Sequence, residues 1–218
     1  MSNRFDLIVF DWDGTLMDSA AAIVCAMQAA CGDLGLPEPP EERARHVIGL
    51  GLRDALEHAV PELQAADYPR MVERYRFHYL SADHELTLFP GTQEMIRELA
   101  DMGRLLGVAT GKSRVGLNRA LDHSRLGGLF HSTRCADECF SKPHPAMLEE
   151  IMDELGVRRD RTLMVGDTTH DLNMARNAGV AGLAVSFGAH PRDALAEAAP
   201  QAIVDSSVAL RLWLRENV

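Results

Sequence analysis

Phe5-Asp6-Leu7-Ile8-Val9-Phe10-Asp11-Trp12-Asp13-Gly14-Thr15-Leu16-Met17-Asp18-Ser19 is the stretch on which the reading of this chain turns. Its run of Leu, Ile, Val and Phe suits one buried strand, and the run stops at two carboxylates on either side of a tryptophan. An ionised carboxylate away from water needs a partner, and two neighbours repel unless a cation or a shared proton stands between them. An aspartate pair at the carboxyl end of a core strand, followed by Gly-Thr, therefore calls for an ion and a ligand. Taken alone, the stretch also fits a strand that runs into an acidic surface turn. Period-two alternation sends Trp12 to the side opposite Asp11 and Asp13, toward packing.

Downstream, Asp18 or Ser19 can cap a helix over about Ala20 to Leu34, closed by Gly35 and followed by Pro37, Pro39 and Pro40. The basic stretch Arg43 to Arg53, with Gly49 and Gly51, leads into a helix through Leu56, and a longer helix is expected from about Glu62 to Ala82. Strand-and-helix alternation resumes at Leu86-Thr87-Leu88-Phe89-Pro90-Gly91. Apolar strands follow at Leu105–Ala109, His131–Cys135, Thr162–Val165, Gly182–Ser186 and Ala202–Val204, with helices between them. Strands of this kind alternating with helices predict an α/β fold with a parallel sheet covered on both faces. Parallel strands need only about a dozen residues to cross over, so a helical insertion this long after the first strand reads as a second domain. The expected division is a core of residues 1–16 and 85–218 and a helical domain of residues 17–84. The second is placed to close over the aspartate pair as a lid.

Composition narrows the function. The chain has 218 residues, a net charge of −10 and 46% hydrophobic content. An acidic balance argues against a nucleic-acid partner, and no apolar run is long enough for a membrane span. No charged-then-apolar leader opens the chain, so a cytoplasmic protein is expected. Cys25, Cys31, Cys135 and Cys139 form no Cys-x-x-Cys pair and the nine histidines are scattered, so neither builds an evident metal site. The C-terminal Leu210, Trp213 and Leu214 stripe reads as core packing, which leaves a monomer or a homodimer open.

Ligands of an open parallel sheet bind beyond the carboxyl ends of its strands. Four polar clusters fall there: Asp11 with Asp13, Thr110 before Gly111, Lys142 before Pro143, and Asp167 with Asp171. Singly, each has a duller reading. Thr110 or Asp167 can cap a helix, Lys142 can be a surface lysine, and Asp171 a solvated carboxylate. Together they supply four carboxylates, a hydroxyl and an ammonium. Hard oxygen donors in that number suit magnesium, and the backbone N–H groups of Thr110-Gly111-Lys112 suit phosphate oxygens.

In these four clusters the chain resembles the haloacid dehalogenase superfamily, and among its members the phosphatases with a small helical cap, such as phosphoglycolate phosphatase. The resemblance implies a Rossmann-like sheet in the order 6-5-4-1-2-3 with an inserted α-helical cap. It implies Asp11 as nucleophile forming an aspartyl-phosphate, and Asp13 as general acid and base. It further implies magnesium held by Asp11, Asp167 and the Asp13 carbonyl, with Asp171 orienting a metal-bound water or Lys142. Thr110, Gly111 and Lys142 would bind the transferring phosphoryl group. Dehalogenases of the superfamily lack the second aspartate, so Asp13 favours phosphoryl transfer and a small phosphorylated metabolite as substrate. Arg53 or Arg45 in the cap is the candidate for neutralising a further anionic group, against the alternative of solvated surface. A phosphomutase of the β-phosphoglucomutase kind, an inorganic pyrophosphatase, and a catalytically silent binding protein share the scaffold and stay open.

Overall fold

The computed structural model describes residues 4–82 and 86–218. The first strand, β1 (Leu7–Phe10), is buried at every position, as a run without polar alternation requires. It lies between β2 (Leu105–Thr110) and β4 (Thr162–Gly166), and all pairings are parallel, in the order β3-β2-β1-β4-β5-β6. The outer strands are β3 (Ser132–Cys135), β5 (Ala181–Val185) and β6 (Ala202–Val204). This is the sheet order that the resemblance implied. Phe10 stands level with Val108 on one side and Val165 on the other. Asp11, Thr110 and Asp167 therefore emerge at one edge of three adjacent strands.

Between β1 and β2 the chain makes α1 (Ala20–Leu34), α2 (Glu41–His46), α3 (Leu52–Ala59), α4 (Tyr68–Ala82) and α5 (Thr92–Asp101). Helices α1 to α4 share a hydrophobic cluster of their own, in which Ile23, Val24, Met27, Val47, Leu56 and Met71 are buried. Two expected elements differ. The long helix does not begin at Glu62 but at Tyr68, which puts Pro69 in its first turn, where a missing N–H costs no hydrogen bond. The residues Leu86–Phe89 make no sheet strand. Leu88 bridges to Met17, the Phe89 N–H donates to the Leu16 carbonyl and the Asp18 N–H to the Thr87 carbonyl, both at 3.0 Å. The segment leaving the sheet and the segment returning to it satisfy each other's backbone, so neither is available to extend the sheet. The expected boundary between residues 84 and 85 lies outside the described residues.

After β2 come α6 (Arg114–Ser124), β3, α7 (Ala146–Leu155), β4, α8 (Thr169–Ala178), β5, α9 (Arg192–Glu197), β6 and α10 (Ser207–Asn217). Leu210 and Leu214 of α10 are buried in the main core, with Trp213 packed against it. Among the described residues no helix is long and apolar enough to cross a membrane.

Three histidines join the helical module to the sheet's carboxyl edge. His46 ends α2, His170 opens α8 and His190 follows β5, with the His46 and His190 rings stacked at 5.0 Å. The Nε2 atoms of His170 and His190 lie 2.7 and 3.0 Å from the His46 carbonyl oxygen. Because His190 Nδ1 accepts from the Thr169 N–H at 3.1 Å, its proton sits on Nε2 and donates to that carbonyl. Burial drives the His190 pKa down to about 4 and lowers that of His170.

Two predictions follow from this architecture. Met71 is the buried residue of α4, so Met71→Ala should cost about 2–5 kcal/mol in urea unfolding. A loss under about 1 kcal/mol would mean that α4 is not anchored there. For His190 the folded state resists a proton that the unfolded chain accepts near pH 6.5, so its stabilisation is complete above that pH and is lost as pH falls toward 4. Wild type should therefore lose more stability than His190→Gln between pH 7.5 and 5, and equal losses would show that His190 is not the responsible group.

Candidate active site

Of the residues at the sheet's carboxyl edge that the sequence singled out, Asp11, Asp13, Thr110, Lys142, Asp167 and Asp171 are buried and Gly111 is half-buried. Asp11 continues β1, and its N–H is donated to the Val165 carbonyl at 2.9 Å. Lys142 enters from the loop before α7 and places Nζ 2.7 Å from Asp11 Oδ1 and 2.7 Å from Asp171 Oδ1. Asp171 is the third residue of α8, and it serves two purposes. Its Oδ2 accepts from the Thr168 N–H and hydroxyl at 3.1 and 2.7 Å, while the Thr168 hydroxyl accepts from the Asp171 N–H, completing a capping box. Thr168, not Asp167, is the cap, and that frees Asp167 to face Asp11.

Asp167 is held on both oxygens, by the Thr15 hydroxyl at 2.8 Å and by the Ala189 N–H at 2.7 Å. Gly14, at φ +82°, passes so close to Asp167 that any Cβ would overlap the carboxylate. The Gly-Thr after the aspartate pair is thus explained: the glycine makes room for a carboxylate from another strand, and the threonine donates to it. Carboxylate oxygens of Asp11, Asp167 and Asp171 lie within 4.8 Å of one another, close enough to share a cation. Burial first of all, with the charges of Asp171 and Asp167, pushes the Asp11 carboxyl well above the usual range, against the pull of Lys142. Burial and then Asp171 raise Asp167 to about 7.

The Asp13 carboxylate stands apart from that trio. The Ser19 hydroxyl donates to its Oδ1 at 2.6 Å, and Lys112 Nζ lies 3.0 Å from the same oxygen. Lys112 also donates to the Tyr79 hydroxyl of α4 at 3.0 Å. Burial opposes the Lys112 charge, but Asp13 and Tyr79 outweigh it and hold the ammonium's pKa above its ordinary value. Sequence reasoning took Lys112 for a backbone donor only and Ser19 for a helix cap. The signal was present, since a lysine on a turn level with a carboxylate pair is a charge partner for one of them. Ala189, by contrast, acts through its backbone and left no trace in the sequence. Thr110 accepts the Lys112 N–H on its hydroxyl at 3.2 Å, and Ser113 caps α6 in its place.

The loop from Val47 to Gly51 lies over this edge. A Cβ at Gly111 would overlap the Leu50 carbonyl, and one at Gly49 would come within 3.9 Å of Asp11 Oδ2. Gly49 and Gly111 let two backbones touch above the nucleophile candidate. Arg53 is not brought to the carboxylates. It is exposed, pairs with Glu57 at 3.6 Å, stacks over Tyr68 at 4.5 Å and stands on the wall of a cavity that also reaches Asp13 and Lys112. Arg45 pairs with Glu41 at 2.8 Å. His144 accepts the Ala146 N–H at 3.2 Å, a structural task at the start of α7.

Similarity to known proteins places the chain in a family. Residues 8–185 match the family model of haloacid dehalogenase-like hydrolases. A probable phosphatase, IndB, from Dickeya dadantii is 38% identical over 206 residues, covering 92% of this chain and 89% of that protein. A phosphoglycolate phosphatase from Agrobacterium fabrum is 30% identical, over 97% of this chain and 93% of its own. The solved structure of a predicted phosphoglycolate phosphatase from Haemophilus somnus superposes with a TM-score of 0.86 at 25% identity, over 94% of this chain and 96% of that one. With the match running from the first strand through the fifth and taking in all four clusters, the chain belongs to the haloacid dehalogenase-like hydrolase family.

Proposed function

We propose that this hydrolase is a magnesium-dependent phosphatase that cleaves a small phosphorylated metabolite, a phosphomonoester of the phosphoglycolate kind, through an aspartyl-phosphate at Asp11. The observation that carries the reading is the buried set of Asp11, Asp167 and Asp171 around the single ammonium of Lys142. Three carboxylates against one cation leave the set short of positive charge. Asp11 Oδ2 has no hydrogen bond among the described residues, and Asp167 is pushed up to about 7, as expected of anions awaiting a counter-ion. The donor set is all oxygen, which suits magnesium over softer metals. Asp11, Asp167 and Asp171 would hold the ion, with the Asp13 carbonyl. When bound, it would offset the charge of the phosphoryl oxygens.

In the first step an Asp11 oxygen forms a bond to phosphorus, the ester P–O bond breaks, and Asp13 gives its proton to the departing alkoxide. In the second, Asp13 takes a proton from water as the water attacks phosphorus. The Asp11–phosphorus bond breaks, and inorganic phosphate leaves. Lys142 and the Thr110-Gly111 turn stabilise the transferring group. Residues 1–16 and 85–218 form the catalytic core, and residues 17–84 form a cap whose loop at Gly49 excludes water from Asp11.

Asp11→Asn should reduce turnover by at least about a thousandfold and trap no phosphoenzyme. Its metal-free Tm should equal or exceed that of wild type, because the change removes one uncompensated buried charge. A variant that stays active would remove Asp11 from the reaction. Magnesium should raise Tm, by about 2.7 kcal/mol of stabilisation at a hundred times its dissociation constant, and Asp167→Asn should lose that response. Release of phosphate without a divalent ion, or from no ester in a broad panel, would overturn the reading. Isomerisation of a sugar phosphate that requires a bisphosphate would show a mutase instead.

A further inference from the structure

Beside the carboxylates, between the helical module and the sheet's edge, lies a cavity of about 850 Å³. Asp13, Gly111 and Lys112 line it, while Asp11, Lys142 and Asp167 do not. If Asp13 protonates the departing oxygen, as proposed above, the alcohol attached to that oxygen must extend from Asp13 into this space. Cavities of roughly 300–1,000 Å³ enclose whole drug-sized ligands, so an ester as short as phosphoglycolate would leave most of this one unfilled.

The walls say more than the volume. Tyr68, Tyr75 and Tyr79 present aromatic surface, with the Tyr75 and Tyr79 rings stacked at 5.9 Å, and Met27 and Val72 add aliphatic surface. Two of the cations on the wall are already engaged, Lys112 by Asp13 and Tyr79, and Arg53 by Glu57 and the Tyr68 ring. Arg76 also stands there, so an ester carrying a second anionic group is the competing occupant. Trp12 is fully buried and packs edge-on against Phe130, so it backs the wall without offering its N–H to a ligand.

We infer that the substrate is a phosphate ester whose alcohol carries a ring-sized, largely apolar body, and that an ester as short as phosphoglycolate is not the preferred one. The inference rests on the phosphatase reading and revises its substrate from a phosphoglycolate-like ester to a bulkier one. Apolar wall takes up the ring faces, and the phosphate reaches the Thr110 turn past Asp13.

The test compares kcat/KM, with magnesium, for phenethyl phosphate, thymidine 5′-monophosphate, ethyl phosphate and phosphoglycolate. All four leave as unactivated alkoxides, so the chemistry of bond breaking is matched. The two ring-bearing esters should exceed the two short ones by about 10- to 100-fold, the gain expected from burying a ring. In Val72→Trp, which narrows the cavity, that ratio should fall severalfold. Equal or better turnover of phosphoglycolate, or a ratio unmoved by Val72→Trp, overturns the inference and leaves the phosphatase reading standing. Hydrolysis of none of the four overturns the inference, and the broad panel then decides the phosphatase reading.

Discussion

Lys142, with its ammonium 2.7 Å from Asp11 and 2.7 Å from Asp171 and no exposure to solvent, is the constraint on which the rest of the site depends. Removing an ammonium and three carboxylates from water costs several kcal/mol per ion, and a buried ion pair returns that cost only with good geometry and further hydrogen bonds. The surrounding structure supplies them. Thr168 holds Asp171 through the capping box of α8, and Thr15 and the Ala189 N–H hold Asp167. Each of those groups comes from a different strand end, so the order of β2, β1, β4 and β5 is what allows the charges to be satisfied at all. Hydrophobic residues at the same positions would make a more stable sheet edge. The charges are held in place at the expense of stability, which is the pattern of a reacting site.

Much of this was legible in the sequence because it depends on short-range rules. A run such as Leu7–Phe10 without alternation has to be a central strand, and a strand ending in Asp-x-Asp has to deliver carboxylates to an edge. The Leu86–Phe89 segment failed for a long-range reason. Its composition is that of a strand, but its backbone partners are Leu16 and Asp18, residues whose position is set only after the helical module has folded. The start of α4 was misjudged because residues 62–67 are helix formers with no apolar face to bury, and packing on α1, not propensity, decides where the helix begins.

The site residues divide the same way. Those that act by side-chain type at a strand end, Asp11, Asp13, Thr110, Lys142, Asp167 and Asp171, could be named from spacing. Those whose importance comes from a neighbour distant in sequence could not. Gly14 matters because Asp167 arrives against it, and Ala189 because its N–H points at that same carboxylate.

Asp13 shows how the two parts of the chain depend on each other. Its carboxylate is fixed by Ser19, on the segment leaving the sheet, and by Lys112, on the turn after β2. Lys112 in turn is fixed by Tyr79 from α4, the last helix before the chain returns to the sheet edge. Displacing the helical module would move Ser19 and Tyr79 together, and with them the two groups that orient Asp13. Asp11 has no such dependence, since β1, Lys142 and α8 all belong to the sheet and its flanking helices. The proposed nucleophile is therefore built into the rigid part of the molecule. The proposed acid depends on Ser19 and, through Lys112, on Tyr79, so displacement of the helical module would leave Asp13 unplaced while Asp11 kept its partners.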